Sequence, residues 1–123
     1  MSGNNYLLDT NIVLYLLGGD KVLAGILDEK VPHISFITEM ELLSSPKLTS
    51  KDEKEIKSFL KVCMIFDINP DIKNLAIQIR KSMFLKLPDS IIAATADYLN
   101  IPLLTADTEF NKLKSLSILQ YKQ

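Results

Sequence analysis

At 123 residues the chain has room for one domain with a real hydrophobic core. A net charge of −1, with 47% hydrophobic and 24% charged residues, is the balance of an ordinary soluble protein. It argues against a surface coated in positive charge for nucleic acid, though not against a local basic strip. The longest apolar runs are too short for a bilayer, no basic–apolar–small segment opens the chain, and one cysteine, Cys63, can form no internal disulfide. These features point to a cytoplasmic protein without a membrane partner.

"NYLLD" predicts a short apolar strand, and "TNIVLYLLGG" a helix, apolar almost all round, that stops at Gly18 and Gly19. "KVLAGILDE" predicts a one-faced helix carrying Val22, Leu23, Ile26 and Leu27. A second strand, "PHISFI", follows, and the spacing of Thr38 and Glu41 matches a capping box opening the helix "EMELLS". After Pro46, Ser50 and Glu53 make a second such pattern, heading a helix that runs to about Val62. "CMIFDI" predicts a third strand. Asn69 and Pro70 then open a helix whose apolar face is Ile72, Leu75, Ala76, Ile79 and Met83. Pro88 opens the next helix, "DSIIAATADYLN"; "IPLLTA" predicts a fourth strand, "TEFNKL" a helical turn and "LSILQY" a last strand. Strands alternating with helices imply an α/β fold: a mainly parallel sheet, flanked by helices on both faces, in a single domain over residues 1–123. Ligands of such sheets gather outside the carboxyl ends of the strands.

That rule gives meaning to the acids. Asp9 and Asp107 each follow a predicted strand, where an aspartate can simply cap the next helix. Asp89 is more informative, because Ile92, Ala93 and Ala96 continue from it at helical spacing, turning its carboxylate toward the apolar stripe. Glu39 and Glu41 lie about 200° apart around a helix, so only one can face a common site, and spacing leaves that choice open. Two carboxylates ~5 Å apart repel by about 3 kcal/mol at an effective dielectric near 20. Several around one rim would therefore protonate or splay unless a cation held them. Oxygen donors with no histidine or cysteine among them suit Mg²⁺ or Mn²⁺ rather than zinc, and such an ion supports chemistry on a phosphodiester. His33, at the start of a strand, is read as incidental.

The stretches "LLDTNIVLYLL", "ISFITEMELL", "LPDSIIAATA" and "LLTADTEF" resemble, in order, the four acidic motifs of PIN-domain ribonucleases, and more narrowly those of VapC toxins. The resemblance runs from Tyr6 to about Leu113. It implies a PIN-like fold and assigns Asp9, Glu41, Asp89 and Asp107 as the catalytic, metal-holding carboxylates, choosing Glu41 over Glu39 through the pattern of Ser35, Ile37, Thr38 and Leu42. Asn11 and Thr105 are expected to orient those carboxylates by hydrogen bonds. Where the family pattern has a second aspartate after Asp107, this chain has Glu109, a longer side chain left outside the core set. The resemblance further implies a Mg²⁺- or Mn²⁺-dependent endoribonuclease, the toxin of a type II toxin–antitoxin pair, working on RNA, held by a cognate antitoxin and forming a homodimer.

Two basic groups compete for phosphate contact. Lys51, Lys54, Lys57 and Lys61 line one helix face but are balanced by Glu53 and Glu55; Arg80, Lys81 and Lys86 lie just before Asp89 and are the better candidates. Two rival functions remain in view. One is an aspartyl-nucleophile phosphatase or receiver-like phospho-acceptor using Asp9, which Asn11 disfavours by standing where a second aspartate is usual. The other is a non-catalytic PIN-like scaffold that binds RNA or protein.

Overall fold

Leu7 and Leu8 are adjacent in the first strand, and neither reaches solvent. Successive strand side chains point to opposite faces, so both faces of the sheet must be covered. The computed structural model describes residues 5–123 and shows what covers them. Its five strands are β1 (Leu7–Leu8), β2 (His33–Ser35), β3 (Met64–Phe66), β4 (Leu103–Thr105) and β5 (Ile118–Gln120). They form one parallel sheet in the order β3-β2-β1-β4-β5. The helices are α1 (Thr10–Leu17), α2 (Lys21–Ile26), α3 (Phe36–Leu43), α4 (Ser50–Val62), α5 (Pro70–Met83) and α6 (Leu87–Leu99), with a 3₁₀ turn at Thr108–Lys112. The α/β architecture expected from the alternation of elements is the one observed.

Two cores follow from the alternation at β1. Leu7 and Leu103 face Ile92, Ala93 and Ala96 of α6, with Ile79 and Met83 of α5 behind them and Phe110 closing one end. Leu8, Leu104 and Ile34 face the other way, onto Ile12 and Val13 of α1, Leu23 of α2, Leu42 of α3 and Ile56 of α4. α6 is the central helix, buried without a break from Ser90 to Ala96. Its alanines let α5 approach closely, with Ile72 and Ala76 packed on Ile91 and Ala94.

Strand order fixes where a site can form. The chain steps outward from β1 to β2 to β3, then returns to lay β4 on the opposite side of β1. Connections therefore leave β1 and β4 in opposite directions, and the crevice at their carboxyl ends is where open α/β sheets bind ligands. Leu7 pairs with Leu103 and Leu8 with Leu104, so the residues just beyond both strands emerge side by side.

Several local expectations need correction. The capping box proposed for Thr38 and Glu41 does not form: α3 starts directly after β2, and the Ser35 hydroxyl accepts the Ile37 amide over 3.0 Å, leaving Thr38 inside the helix. α4 is headed by Thr49 and Asp52, one register before Ser50 and Glu53; "TSKDE" fits both pairings, and the box belongs to the residue just outside the first turn. Val22 and Ile26 of α2 are exposed, so its apolar face is only partly buried, whereas the exposed Leu14 of α1 fits a helix apolar almost all round. β3 is an edge strand with Met64 and Ile65 exposed. Asn69 does start α5 as expected, its side-chain oxygen accepting the Ile72 amide over 2.8 Å. Among the described residues, no helix is long and apolar enough to cross a membrane.

Candidate active site: a rim of carboxylates at the β1–β4 crevice

Asp9 ends β1 and precedes α1, with its backbone amide bound to the Leu104 carbonyl over 3.0 Å. A regular N-cap side chain accepts from the second or third helical amide. Asp9 accepts instead from the first, Thr10, with Oδ1 at 2.8 Å, while Oδ2 accepts the Thr105 hydroxyl proton at 2.7 Å. Only 5% of Asp9 is exposed. Its carboxyl is raised above the ordinary aspartate value by burial first, against the pull of those two hydrogen bonds, with the charges of Asp107 and Glu41 adding to the rise.

Thr105, the last residue of β4, joins two acids. Its buried hydroxyl donates to Asp9 and accepts the Asp107 backbone amide at 3.0 Å. Asp107 in turn takes the Glu109 amide on Oδ1 at 2.9 Å, opening the 3₁₀ turn. Glu41 comes from α3, where the Thr10 hydroxyl lies 2.6 Å from Oε1 and 3.0 Å from the buried Thr38 hydroxyl. A hydroxyl has one proton, and the charged acceptor takes it, so Thr38 donates to Thr10 and Thr10 to Glu41. Asp89 stands in the first turn of α6, half-buried, and its helix has no side-chain cap. Burial, followed by the charges of Asp9, Asp107 and Glu41, pushes it up to about 6, with Lys86 pulling the other way.

The four acids thus arrive from β1, α3, α6 and the end of β4, and each of the other three raises Asp89. Among the described residues the ion pairs are Lys57–Glu53 at 3.7 Å and Lys112–Glu109 at 2.7 Å, so none of the four has a cationic partner. Like charges without a counter-ion spread apart. Accordingly, Glu41 is drawn onto Thr10, and among the described residues no three acidic, histidine or cysteine side chains are gathered closely enough to enclose an ion as they stand. The donor chemistry nevertheless suits a hard divalent cation: oxygen ligands, excess negative charge and one buried, hydrogen-bonded carboxylate to anchor the set.

The remaining candidates divide. Thr105 touches the rim as described, whereas Asn11 is exposed and its amide bonds to none of the four carboxylates. The hydroxyl beside it, on Thr10, does the orienting. Sequence reasoning passed over Thr10 and misread Thr38, although Thr38 and Glu41 are three residues apart on one helix, a spacing that shares a face. Glu109 is turned to Lys112 yet still lines a cleft of about 320 Å³ with Lys86, Asp89 and Asp107. Arg80 and Lys81 line an adjoining groove, and one Arg80 guanidinium nitrogen, Nη1, donates to the Leu85 carbonyl over 2.9 Å. Lys54, Lys57 and Lys61 of α4 line a separate groove with Ser50 and Glu53, sharing no residue with either.

Comparison with known proteins identifies the fold. A chain of a toxin–antitoxin complex from Klebsiella pneumoniae is 30% identical, with a TM-score of 0.83 over 97% of this chain and all of that one. VapBC2 from Rickettsia felis, bound to a DNA fragment from its promoter, gives 22% identity and a TM-score of 0.84 over 95% and 98% of the two chains. VapBC-1 from nontypeable Haemophilus influenzae gives 24% and 0.80 over 94% and 96%. At those lower identities the likeness is one of fold. No curated protein matches the sequence. The PIN-domain family model matches residues 6–116, nearly the whole chain. This chain belongs to the PIN-domain family.

Proposed function

We propose that the protein is a Mg²⁺- or Mn²⁺-dependent endoribonuclease and the toxin of a type II toxin–antitoxin pair. The observation that carries this reading is the convergence of four carboxylates on the β1–β4 crevice, where, among the described residues, no cationic side chain is paired to any of them. Asp9, Glu41, Asp89 and Asp107 are the residues that would hold the ion. When bound, it supplies Lewis-acid polarisation of a phosphoryl oxygen and a water of lowered pKa.

The protein's own contribution is positional. Asp9 is the fixed member, held by the Thr10 amide and the Thr105 hydroxyl, so it can anchor without changing rotamer. Thr105 keeps Asp107 in step with Asp9 by accepting its amide. Glu41 is the adjustable member, an exposed side chain held in reserve by one hydroxyl bond. Asp89 enters from α6 beside Lys86, whose ammonium is available to a phosphate at the mouth of the same cleft. Arg80 and Lys81 extend that positive edge along the adjoining groove.

The antitoxin partner rests on likeness to toxin–antitoxin complexes, and the homodimer on family membership. An aspartyl-phosphate mechanism fits poorly, because Asp9 is nearly enclosed and both of its oxygens are engaged. The deciding assay incubates purified, antitoxin-free protein with total RNA in Mg²⁺, in Mn²⁺ and in EDTA. Discrete fragments with either metal and none with chelator are expected; intact RNA in every condition, from folded protein, would leave the scaffold reading standing.

A further inference from the structure

Thr38 is fully buried in the first turn of α3. A buried hydroxyl needs a partner. Helical hydroxyls commonly find one in the carbonyl four residues back, as Ser82, Ser90 and Thr95 do at 2.8, 3.0 and 2.7 Å. Thr38 stands too near the start of its helix for that, since four residues back lies Ile34, inside β2. Its hydroxyl turns sideways instead, to Thr10 Oγ1 on α1 at 3.0 Å, and Glu41 Oε1 lies 2.6 Å beyond. Thr38 and Glu41 share a face of α3, so this relay leaves the helix, passes through α1 and returns one turn later. Thr10 also gives its backbone amide to Asp9 at 2.8 Å, so one residue holds two of the four acids by two different donors.

We propose that Thr38 is a positioning residue for the divalent ion: by fixing the Thr10 hydroxyl, it keeps the Glu41 carboxylate on the rim, ready to serve as a ligand. This rests on the metal-dependent ribonuclease reading and deepens it. A keeper is needed because Glu41 is a flexible, exposed side chain facing three other acids, and repulsion favours rotamers that swing out to water. The Thr10 hydroxyl opposes that with a charge-assisted bond to Oε1, while among the described residues no donor engages Oε2. Thr10 alone would hold poorly, because a hydroxyl rotates and both donates and accepts. Thr38 removes the freedom: its proton occupies a lone pair of Thr10 Oγ1, which leaves the Thr10 proton to face Glu41. A donor that is itself accepting a bond also donates more strongly. Thr38 meets the acids only through Thr10, so its contribution should vanish once either Thr10 or Glu41 is gone.

The test is Mn²⁺ binding to purified, antitoxin-free protein without RNA, read by electron paramagnetic resonance of the free ion. Thr38→Val, close in shape but lacking the hydroxyl, raises the Kd about tenfold, and Thr38→Ser returns it to near the native value. Thr10→Val has an effect of the same size, and the double variant is no worse than Thr10→Val alone. In a Glu41→Ala background Thr38→Val changes nothing further, because no carboxylate is left to hold. Thr95→Val, which removes a buried hydroxyl elsewhere, leaves Mn²⁺ affinity native whatever it does to the melting temperature. If Thr38→Val does not fold, Thr38→Cys, a weak donor of similar size, must show the loss in its place. A native Kd in the folded variant overturns the proposal. So does a loss that persists without Glu41, which would make Thr38 a packing residue of α3. RNA cut in Mg²⁺ with Thr38 irrelevant to metal affinity would sink this inference alone; Mn²⁺ held through Thr38 by protein that never cuts RNA would sink the ribonuclease reading alone.

Discussion

Asp9 and Asp20 hold the same station in neighbouring helices, each the residue before the first turn, yet their surroundings push them in opposite directions. Asp20 accepts the third amide of α2, from Leu23, at 3.0 Å, the regular capping bond, and is clasped by the Tyr121 hydroxyl at 2.8 and 2.9 Å and by Gln123 at 3.3 Å. The Leu23 amide bond chiefly, with Tyr121 and Gln123 helping, holds it below the ordinary aspartate value. Asp9 is buried beside other acids and is held above it. Asp20 is an acid whose charge the fold satisfies; Asp9 is an acid whose charge the fold tolerates. An unbalanced carboxylate persists only where something outside the chain completes it, which is what separates a site from a cap.

Substitution sharpens that contrast. The largest effect expected is on cleavage: Asp9→Asn lowers it by at least about a hundredfold in folded protein, while Asp20→Asn leaves it near native, read by RNA fragment yield at saturating Mg²⁺. If both variants cut alike, the distinction between the two acids fails. Next comes Thr105→Val, which removes the hydroxyl joining Asp9 and Asp107; a ~10- to 100-fold loss of activity with weaker metal affinity is expected, and Thr105→Ser should recover most of it.

Stability effects are smaller and run the other way. Asp89 titrates near 6 in the fold against 3.8 without it, so between those values the folded state binds more protons. Metal-free protein therefore loses stability as pH rises from about 4 to 6 and carries the full penalty above. Asp89→Asn in EDTA should be more stable than native protein at pH 8, on the order of 1 kcal/mol after allowing for its partial exposure, and the gain should shrink at pH 5. A thermal melt at the two pH values checks this; a destabilised variant at pH 8 would mean that Asp89 is satisfied after all. The smallest effect belongs to the other acid. Tyr121→Phe removes one donor from Asp20 and should lower Tm by a few degrees without touching cleavage. Because Asp20 is held low, its contribution is present above about pH 4 and lost as pH falls through its folded value, so the Tm difference should narrow in acid.

Much of this was legible in the sequence because period and position carry it. Asp89 in register with Ile92, Ala93 and Ala96 announced an inward-facing acid, and its half-burial ahead of the buried run from Ser90 to Ala96 agrees. The parallel sheet followed from strands alternating with helices. What resisted reading were features set by tertiary neighbours. The choice between Thr49 and Ser50 as cap depends on where a chain leaves its previous turn, and "TSKDE" satisfies either register. Thr10 meets Glu41 across 31 positions, a pairing that no local pattern contains, so the neighbouring amide of Asn11 drew attention instead. The exposure of Phe84 was equally hidden, since "SMFLKL" looks like any apolar turn until its left-handed backbone is seen.

The strand order carries a last consequence. The acids hang from β1, from β4 and from the helices beside them, while β3 and β5, the outermost strands, present partly exposed backbone neighbours on either flank. Amide hydrogen exchange should therefore be fast at the flanks and slow at Leu8 and Leu104, and breathing of the outer strands should leave the cutting centre whole. Heat would then silence the molecule in one step, when the middle of the sheet parts, rather than by gradual erosion from its margins.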